Sequence, residues 1–320
     1  MFACLRRNAD GMLRALMKAL LFFAALLLPP LFCLAQSQPL AERYSDQGQL
    51  IIAQFASAPF PHPKRSEGHK YKEESFSAAE HYSDSTVAIF IPRNLRQDGP
   101  LDFVIHFHGW RNNMGGTLNR YKLIQQLMES KRNAILVVPE GPKDAADSFG
   151  GKLEDAGGFS RFMPEVMETL KQKSALKKKD LAVGQIVLSG HSGGYQVISS
   201  ILDRGGMTDH IKEVWLFDAL YAQTDKFLAW LDKGKGRLLN IYTEHGGTKR
   251  ETEQMMANLK AKGVTIVAGN ETDMELSELP KTGAVFIYTA LEHNEVLDKH
   301  STFRDFLKTS NLKDIDTLKR

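Results

Sequence analysis

The residues best placed to do covalent chemistry are in Gly190-His191-Ser192-Gly193-Gly194, which follows the apolar run Ile186-Val-Leu-Ser189 and precedes Tyr195-Gln-Val-Ile-Ser-Ser-Ile-Leu202. A serine set among glycines at a strand-to-helix turn has its hydroxyl lifted above the sheet edge, and the glycines let the two backbones approach closely. A free serine hydroxyl is a weak nucleophile, so Ser192 needs a base, a group that orients the base, and donors for an oxyanion. The expected base is His293, in the loop after Val285-Phe-Ile-Tyr288, whereas His300 is expected inside the final helical segment. Two carboxylates compete for the orienting role. Asp218 follows Val214-Trp-Leu-Phe217 with no spacer, Glu244 follows the next run in Tyr242-Thr-Glu-His-Gly-Gly247, and both keep the chain order serine, acid, histidine. Asp218 is shorter and sits hard against its strand, which favours it on positioning grounds, although it could instead cap the segment that follows.

A second feature falls at Leu101-Asp-Phe-Val-Ile-His-Phe107, which runs into His108-Gly109-Trp110-Arg111. A His-Gly step after such a strand turns a backbone N–H toward the nucleophile, so the N–H groups of Trp110 and Gly193 are the expected oxyanion donors. His106 and His108 alternate along the strand and share a face, but no third ligand follows at a suitable spacing, and no metal is expected. The long loop from Pro139 to Phe159 would lie at the ligand edge. Its Lys152, Glu154 and Asp155 either contact a polar substrate or tie the loop down through ion pairs. His108 and Tyr221 are further candidate substrate contacts, with Trp110, Phe159 and Tyr221 as apolar walls or ordinary packing.

The elements that must position these residues follow from periodicity. From Thr86 onward, apolar runs of strand length (Val87–Ile91, Phe103–Phe107, Ala134–Val138, Ile186–Ser189, Val214–Phe217, Leu238–Tyr242, Val285–Tyr288) alternate with helical stretches. The helices are expected at 117–131, 159–170, 194–202, 224–231 and 251–262. This is the pattern of an α/β domain with a mostly parallel central sheet flanked by helices on both faces, and ligands gather at the carboxyl ends of such strands.

Over roughly residues 86–300 the chain resembles the α/β-hydrolase superfamily, on the Gly190–Gly194 turn, the His108-Gly109 step and the order Ser192, Asp218 or Glu244, His293. The resemblance implies an α/β-hydrolase fold and a Ser-His-acid mechanism without a cofactor. In that family the acid most often follows the strand before the last, which would favour Glu244; a minority place it one strand earlier, which would favour Asp218. Esterases, lipases, peptidases and amidases all share the fold, so the resemblance names no substrate.

The 320 residues, 42% hydrophobic and 25% charged, exclude general disorder and a small stapled scaffold. Both cysteines, Cys4 and Cys33, lie near the amino terminus, where Met17-Lys-Ala-Leu-Leu-Phe-Phe-Ala-Ala-Leu-Leu-Leu-Pro-Pro-Leu-Phe-Cys-Leu-Ala35 has the shape of a signal peptide. Residues 1–35 are therefore expected to be removed, leaving an N-terminal arm at 36–81 and the catalytic domain at 82–320. A membrane anchor is the competing reading of the leader. Pro29-Pro30 interrupts its apolar run, leaving it short of the roughly 20 residues a span needs. Loss of Arg6, Arg7, Arg14, Lys18 and Asp10 turns 41 basic and 38 acidic residues into 37 and 37. A near-neutral mature chain gives no case for nucleic acid or stable membrane insertion, and it has no cysteine nucleophile. The reading is a periplasmic or secreted serine hydrolase acting on a small or polar carboxylic ester. The alternatives are a periplasmic peptidase or amidase with the same triad, and a non-catalytic binding module on this scaffold.

Overall fold

The inner strands from Thr86 onward are apolar on both faces because both faces are covered. In the computed structural model, which describes residues 39–178, 180–234, 236–275 and 279–315, the chain from Leu40 on is a single unit. The expected leader lies outside the described residues.

The central sheet has nine strands among the described residues: β1 (Gly48–Gln54), β4 (Thr86–Pro92), β5 (Leu101–Phe107), β6 (Ala134–Pro139), β7 (Val183–His191), β8 (Ile211–Phe217), β9 (Arg237–Thr243), β10 (Ile266–Asn270) and β11 (Gly283–Thr289). Their order is β1-β4-β6-β5-β7-β8-β9-β11-β10. β4 pairs antiparallel with both of its neighbours, and every other pair is parallel. The expected α/β fold with a mostly parallel sheet therefore holds. β10 was not expected: its residues are only half-buried or exposed at the sheet edge, so they lack a continuous apolar run. Residues 48–54 supply the opposite edge strand, and β2 (His69–Tyr71) and β3 (Glu74–Phe76) form a separate hairpin.

Alternating strand residues feed two cores. Phe103, Ile105, Ile135, Val137, Ile186 and Leu188 pack on one face against α4 (Gly158–Lys173), α5 (Tyr195–Ser200) and α7 (Lys249–Ala261). Val104, Leu136, Val138, Val187, Trp215 and Ile241 pack on the other against α2 (Met114–Arg120), α3 (Leu123–Ser130) and α8 (Thr302–Thr309). The single helix expected at 117–131 is two. Lys122 adopts φ 50°, the Tyr121 carbonyl accepts a hydrogen bond from the Gln126 amide at 2.7 Å, and the break buries the Tyr121 ring. His300 lies before α8 rather than in it, because Ser301 between them takes left-handed backbone at φ 59°, and its ring faces Glu271 at 3.3 Å.

At the amino ends of β8 and β9, Glu213 and Arg237 stand opposite each other and join at 2.9 Å, both essentially without exposure. Trp215 Nε1 and the Asn311 N–H also donate to Glu213, and Arg237 donates to Thr309. Removing one partner strands the other charge. Glu213→Ala is expected to cost about 3–5 kcal/mol in urea denaturation, and a loss under about 1 kcal/mol would contradict this account.

His106 engages Ser189 Oγ at 2.9 Å through Nδ1 and sits edge-on to Phe303, with Nε2 buried and unpartnered. Burial pushes its pKa well below the ordinary 6.5, and the nearness of two further imidazoles, His191 and His108, acts in the same direction. The native ring stays neutral while the unfolded one binds a proton below its ordinary pKa, so this contribution to stability is lost as pH falls. Between pH 7 and 5 the wild type should lose stability along a limb that His106→Gln flattens by up to about 1.4 kcal/mol per pH unit. Equal slopes for the two proteins would refute the assignment.

Candidate active site

β7 delivers Ser192 to the carboxyl edge of the sheet. There the chain turns through φ 52°, left-handed backbone that costs a residue bearing a Cβ on the order of 1–3 kcal/mol. The turn Ser192–Gly194 leads straight into α5. Close backbone approach requires two of the surrounding glycines. A Cβ on Gly194 would stand 2.6 Å from the Phe107 carbonyl oxygen, and one on Gly109 would stand 2.5 Å from Ser192 Cβ. The His108-Gly109-Trp110 segment therefore runs directly against the serine.

That segment is held from beneath. His108, expected among the substrate contacts, is instead buried, with Nδ1 donating to the Gly109 carbonyl at 2.8 Å and Nε2 3.1 Å from Glu140 Oε1. Burial opposes the charged ring, but the hydrogen bond and charge of Glu140 outweigh it and raise the pKa. A proton on Nε2 makes Glu140 its partner in preference to the Gly141 N–H, which lies 3.0 Å away. Glu140 also accepts from the Met114 N–H at 3.0 and 3.1 Å, which anchors the start of α2.

The two candidate acids have different surroundings. Asp218, at φ 45° directly after β8, has no exposure, and its Oδ2 lies 2.6 Å from His293 Nδ1. Thr243 donates through its N–H at 3.2 Å and its hydroxyl at 2.9 Å, and the Thr248 hydroxyl donates as well. Burial pushes the Asp218 pKa up, but the hydrogen bonds from His293, Thr248 and Thr243 outweigh it and hold the carboxyl below its ordinary value. Glu244 points to solvent and pairs with Lys249 at 2.8 Å.

His191, the residue before the serine, carries a part that motif reading did not assign. Its ring stacks on His293 at 4.7 Å and 30°, its Nε2–H donates to the His293 carbonyl at 3.0 Å, and its Nδ1 faces the Tyr121 hydroxyl at 3.4 Å. Burial, followed by the nearby His293, pushes the His191 pKa down to about 3, so the ring is neutral. Ser192, His293 and His191 open on a cleft of about 510 Å³ that Trp110, Ser148, Gly193, Tyr195 and Tyr221 also line. Tyr221 donates to the Gly246 carbonyl at 2.6 Å. Burial and the Asp218 charge raise its pKa to about 12, against an opposing hydrogen bond with Ser192.

The loop residues Lys152, Glu154 and Asp155 are not among those lining the cleft. Lys152 Nζ donates to the Ala56 carbonyl at 2.8 Å, Glu154 is buried and accepts from the Gly150 N–H and Gln196, and Asp155 faces His62 at 3.4 Å. They tie the loop down, which corrects their expected contact with substrate. Phe159 is likewise core packing. The same loop does bring Ser148 to the cleft, where its hydroxyl accepts from Trp110 Nε1 at 2.7 Å. A single loop serine has no periodicity to announce it. Arg120, Tyr121 and Asn294 also went unread, because the helix break and the final loop bring them to the cleft.

No family model matches the sequence, and no curated protein matches it either. Solved structures do. A ferulic acid esterase aligns over 82% of this chain and 98% of its own at 11% identity, with a TM-score of 0.55. An S-formylglutathione hydrolase from Staphylococcus aureus aligns over 81% of this chain and 98% of its own at 10% identity, with a TM-score of 0.50. With the strand order, the one antiparallel strand inside the sheet and the turn after β7, these likenesses establish that the chain has the α/β-hydrolase fold.

Proposed function

We propose that the chain is an exported serine hydrolase that cleaves a small or polar carboxylic ester through an acyl-enzyme on Ser192. The observation that carries this reading is the 2.6 Å contact between His293 Nδ1 and the unexposed Asp218 carboxylate, with His293 and Ser192 opening on one cleft. With Nδ1 committed to Asp218, Nε2 is the nitrogen left for proton transfer. Ser192 Oγ attacks the ester carbonyl as His293 takes its proton, and the backbone N–H groups of Trp110 and Gly193 receive the oxyanion. The His108 grip on the Gly109 carbonyl supports this role for Trp110: a trans peptide sends its C=O and N–H to opposite sides. His293 then returns the proton to the leaving alcohol, and water, activated by the same ring, releases the acid. The aligned structures, one a ferulic acid esterase and the other an S-formylglutathione hydrolase, carry out chemistry of this kind, as their names state.

The apolar segment ending near Ala35 supports export to the periplasm or beyond. No helix among the described residues is long and apolar enough to cross a membrane.

A fluorophosphonate probe is expected to label the wild type and not Ser192→Ala, with short acyl esters hydrolysed and peptide amides left intact. A folded wild type that neither labels nor hydrolyses any ester would refute the proposal. Asp218→Asn should lower kcat/KM on the order of 10³-fold or more, while Glu244→Gln should stay within about twofold. Comparable losses in the two variants would overturn the assignment of the acid.

A further inference from the structure

The cleft is electrostatically one-sided. Arg111 and Arg120 both line it, and among the described residues no carboxylate does. Asp218, the carboxylate that meets the base, is spent on His293, Thr243 and Thr248. Arg111 is already neutralised, its guanidinium gripping Glu74 of the β2–β3 hairpin with bonds of 2.6 and 2.9 Å. Arg120 is different. It is exposed at the carboxyl end of α2, lies 5.5 Å over the Tyr121 ring, and makes no ion pair within 4 Å among the described residues. Asp298 feels its charge but feels that of Lys122 more, and pairs with neither. The Asn294 amide, which lines the same cleft, also has no protein partner among the described residues.

The position of Arg120 is informative about the substrate. From Arg120 the contacts run to Tyr121, from the Tyr121 hydroxyl to His191, and from His191 to His293 by stacking and by a hydrogen bond. Arg120 is therefore on the side of the base. Trp110, Ser148 and Gly193 cluster with one another, outside that run of contacts: a Cβ on Gly193 would stand 2.6 Å from Ser148 Oγ and 2.8 Å from Trp110 Cδ1. In acyl transfer the leaving oxygen must face the histidine that protonates it, whereas the carbonyl oxygen faces the oxyanion donors. A planar guanidinium with five donors and no acceptor suits a carboxylate, and an uncompensated cation in a cleft raises the local concentration of anions.

We infer that Arg120, on a cleft that Asn294 also lines, is a specificity site for a carboxylate carried on the leaving group, so that the favoured substrates are esters of hydroxy acids. The inference rests on the hydrolase reading above and deepens it. The reaction is unchanged: the ester C–O bond breaks, water supplies the new acyl oxygen, and the hydroxy acid departs with the proton from His293.

Two pairs of esters test it, each rate being divided by that of hydroxide hydrolysis. Para-acetoxybenzoate and its methyl ester differ only in charge on the leaving group. Monophenyl adipate and phenyl hexanoate carry the charge difference on the acyl group. The wild type should favour para-acetoxybenzoate over its methyl ester by roughly tenfold in kcat/KM, mostly through KM, as a charge-assisted hydrogen bond can supply. In Arg120→Gln that ratio should fall to about one, Arg120→Lys should retain part of it, and about 0.5 M salt should shrink it in the wild type. The acyl-side ratio should be the same in all three proteins. A wild-type ratio near one, a ratio unchanged in Arg120→Gln, or a change confined to the acyl-side pair would each overturn the inference. Fluorophosphonate labelling of Ser192 shows that each variant is folded. If the wild type neither labels nor turns over any of the four esters, the hydrolase reading itself has failed, an outcome distinct from a labelled enzyme that ignores charge.

Discussion

A carboxylate without access to water has to be satisfied by the chain around it, and Asp218 draws four segments together to meet that demand. Its own N–H bonds to the Ile241 carbonyl on β9, Thr243 ends β9, Thr248 precedes α7, and His293 lies in the loop after β11. Each donor repays part of the desolvation, and together they keep the group ionised against the opposing effect of burial. The left-handed backbone at Asp218 is part of the same arrangement, since it aims a short side chain across two strands toward a histidine loop. A longer, solvated carboxylate could not be held so rigidly, and Glu244, free to swing to Lys249, shows the contrast.

The segment facing the serine is governed by a second buried charge. Glu140, at the end of β6, holds both the His108 ring and the first N–H of α2, so one side chain sets the path of the chain on either side of Trp110. The N-terminal region reinforces that path from outside: Tyr71 meets Trp110 edge-on at 4.7 Å, and Glu74 grips Arg111. A hairpin from residues 69–76 thereby braces the rim of a cleft whose floor is built by strands more than a hundred residues further along the chain. The neutral His191 completes the support by fastening the His293 loop from its backbone side, without competing for its proton.

Periodicity alone places most of the strands and helices of this chain. An apolar run that alternates between two cores reads as a strand whatever surrounds it, and the parallel arrangement follows from the helices between the runs. The turn at Ser192 is equally local, because strand, glycine and serine adjoin in sequence. Elements with weaker local signals were missed or misjudged: edge strand β10 lacks an apolar run, and the break at Tyr121–Lys122 depends on a side-chain cap and a buried ring. Lys152, Glu154 and Asp155 have the composition of a recognition loop, yet their partners, Ala56, Gly150, Gln196 and His62, lie mostly in distant segments that local composition does not reveal.

The sequence by itself determined most of the strands and helices and their order, the strand–turn–helix at Ser192, and the short set of histidines and acids that could serve it, because those depend on neighbours within a few residues. Only the tertiary structure decided that His293 meets Asp218 and not Glu244, that His108 lies under the site and not in it, and that Arg120 stands in the cleft with no ion pair among the described residues. Each of these depends on which distant segments share a buried space, and on how the desolvation of a charged group is offset there, and neither quantity is written in local spacing.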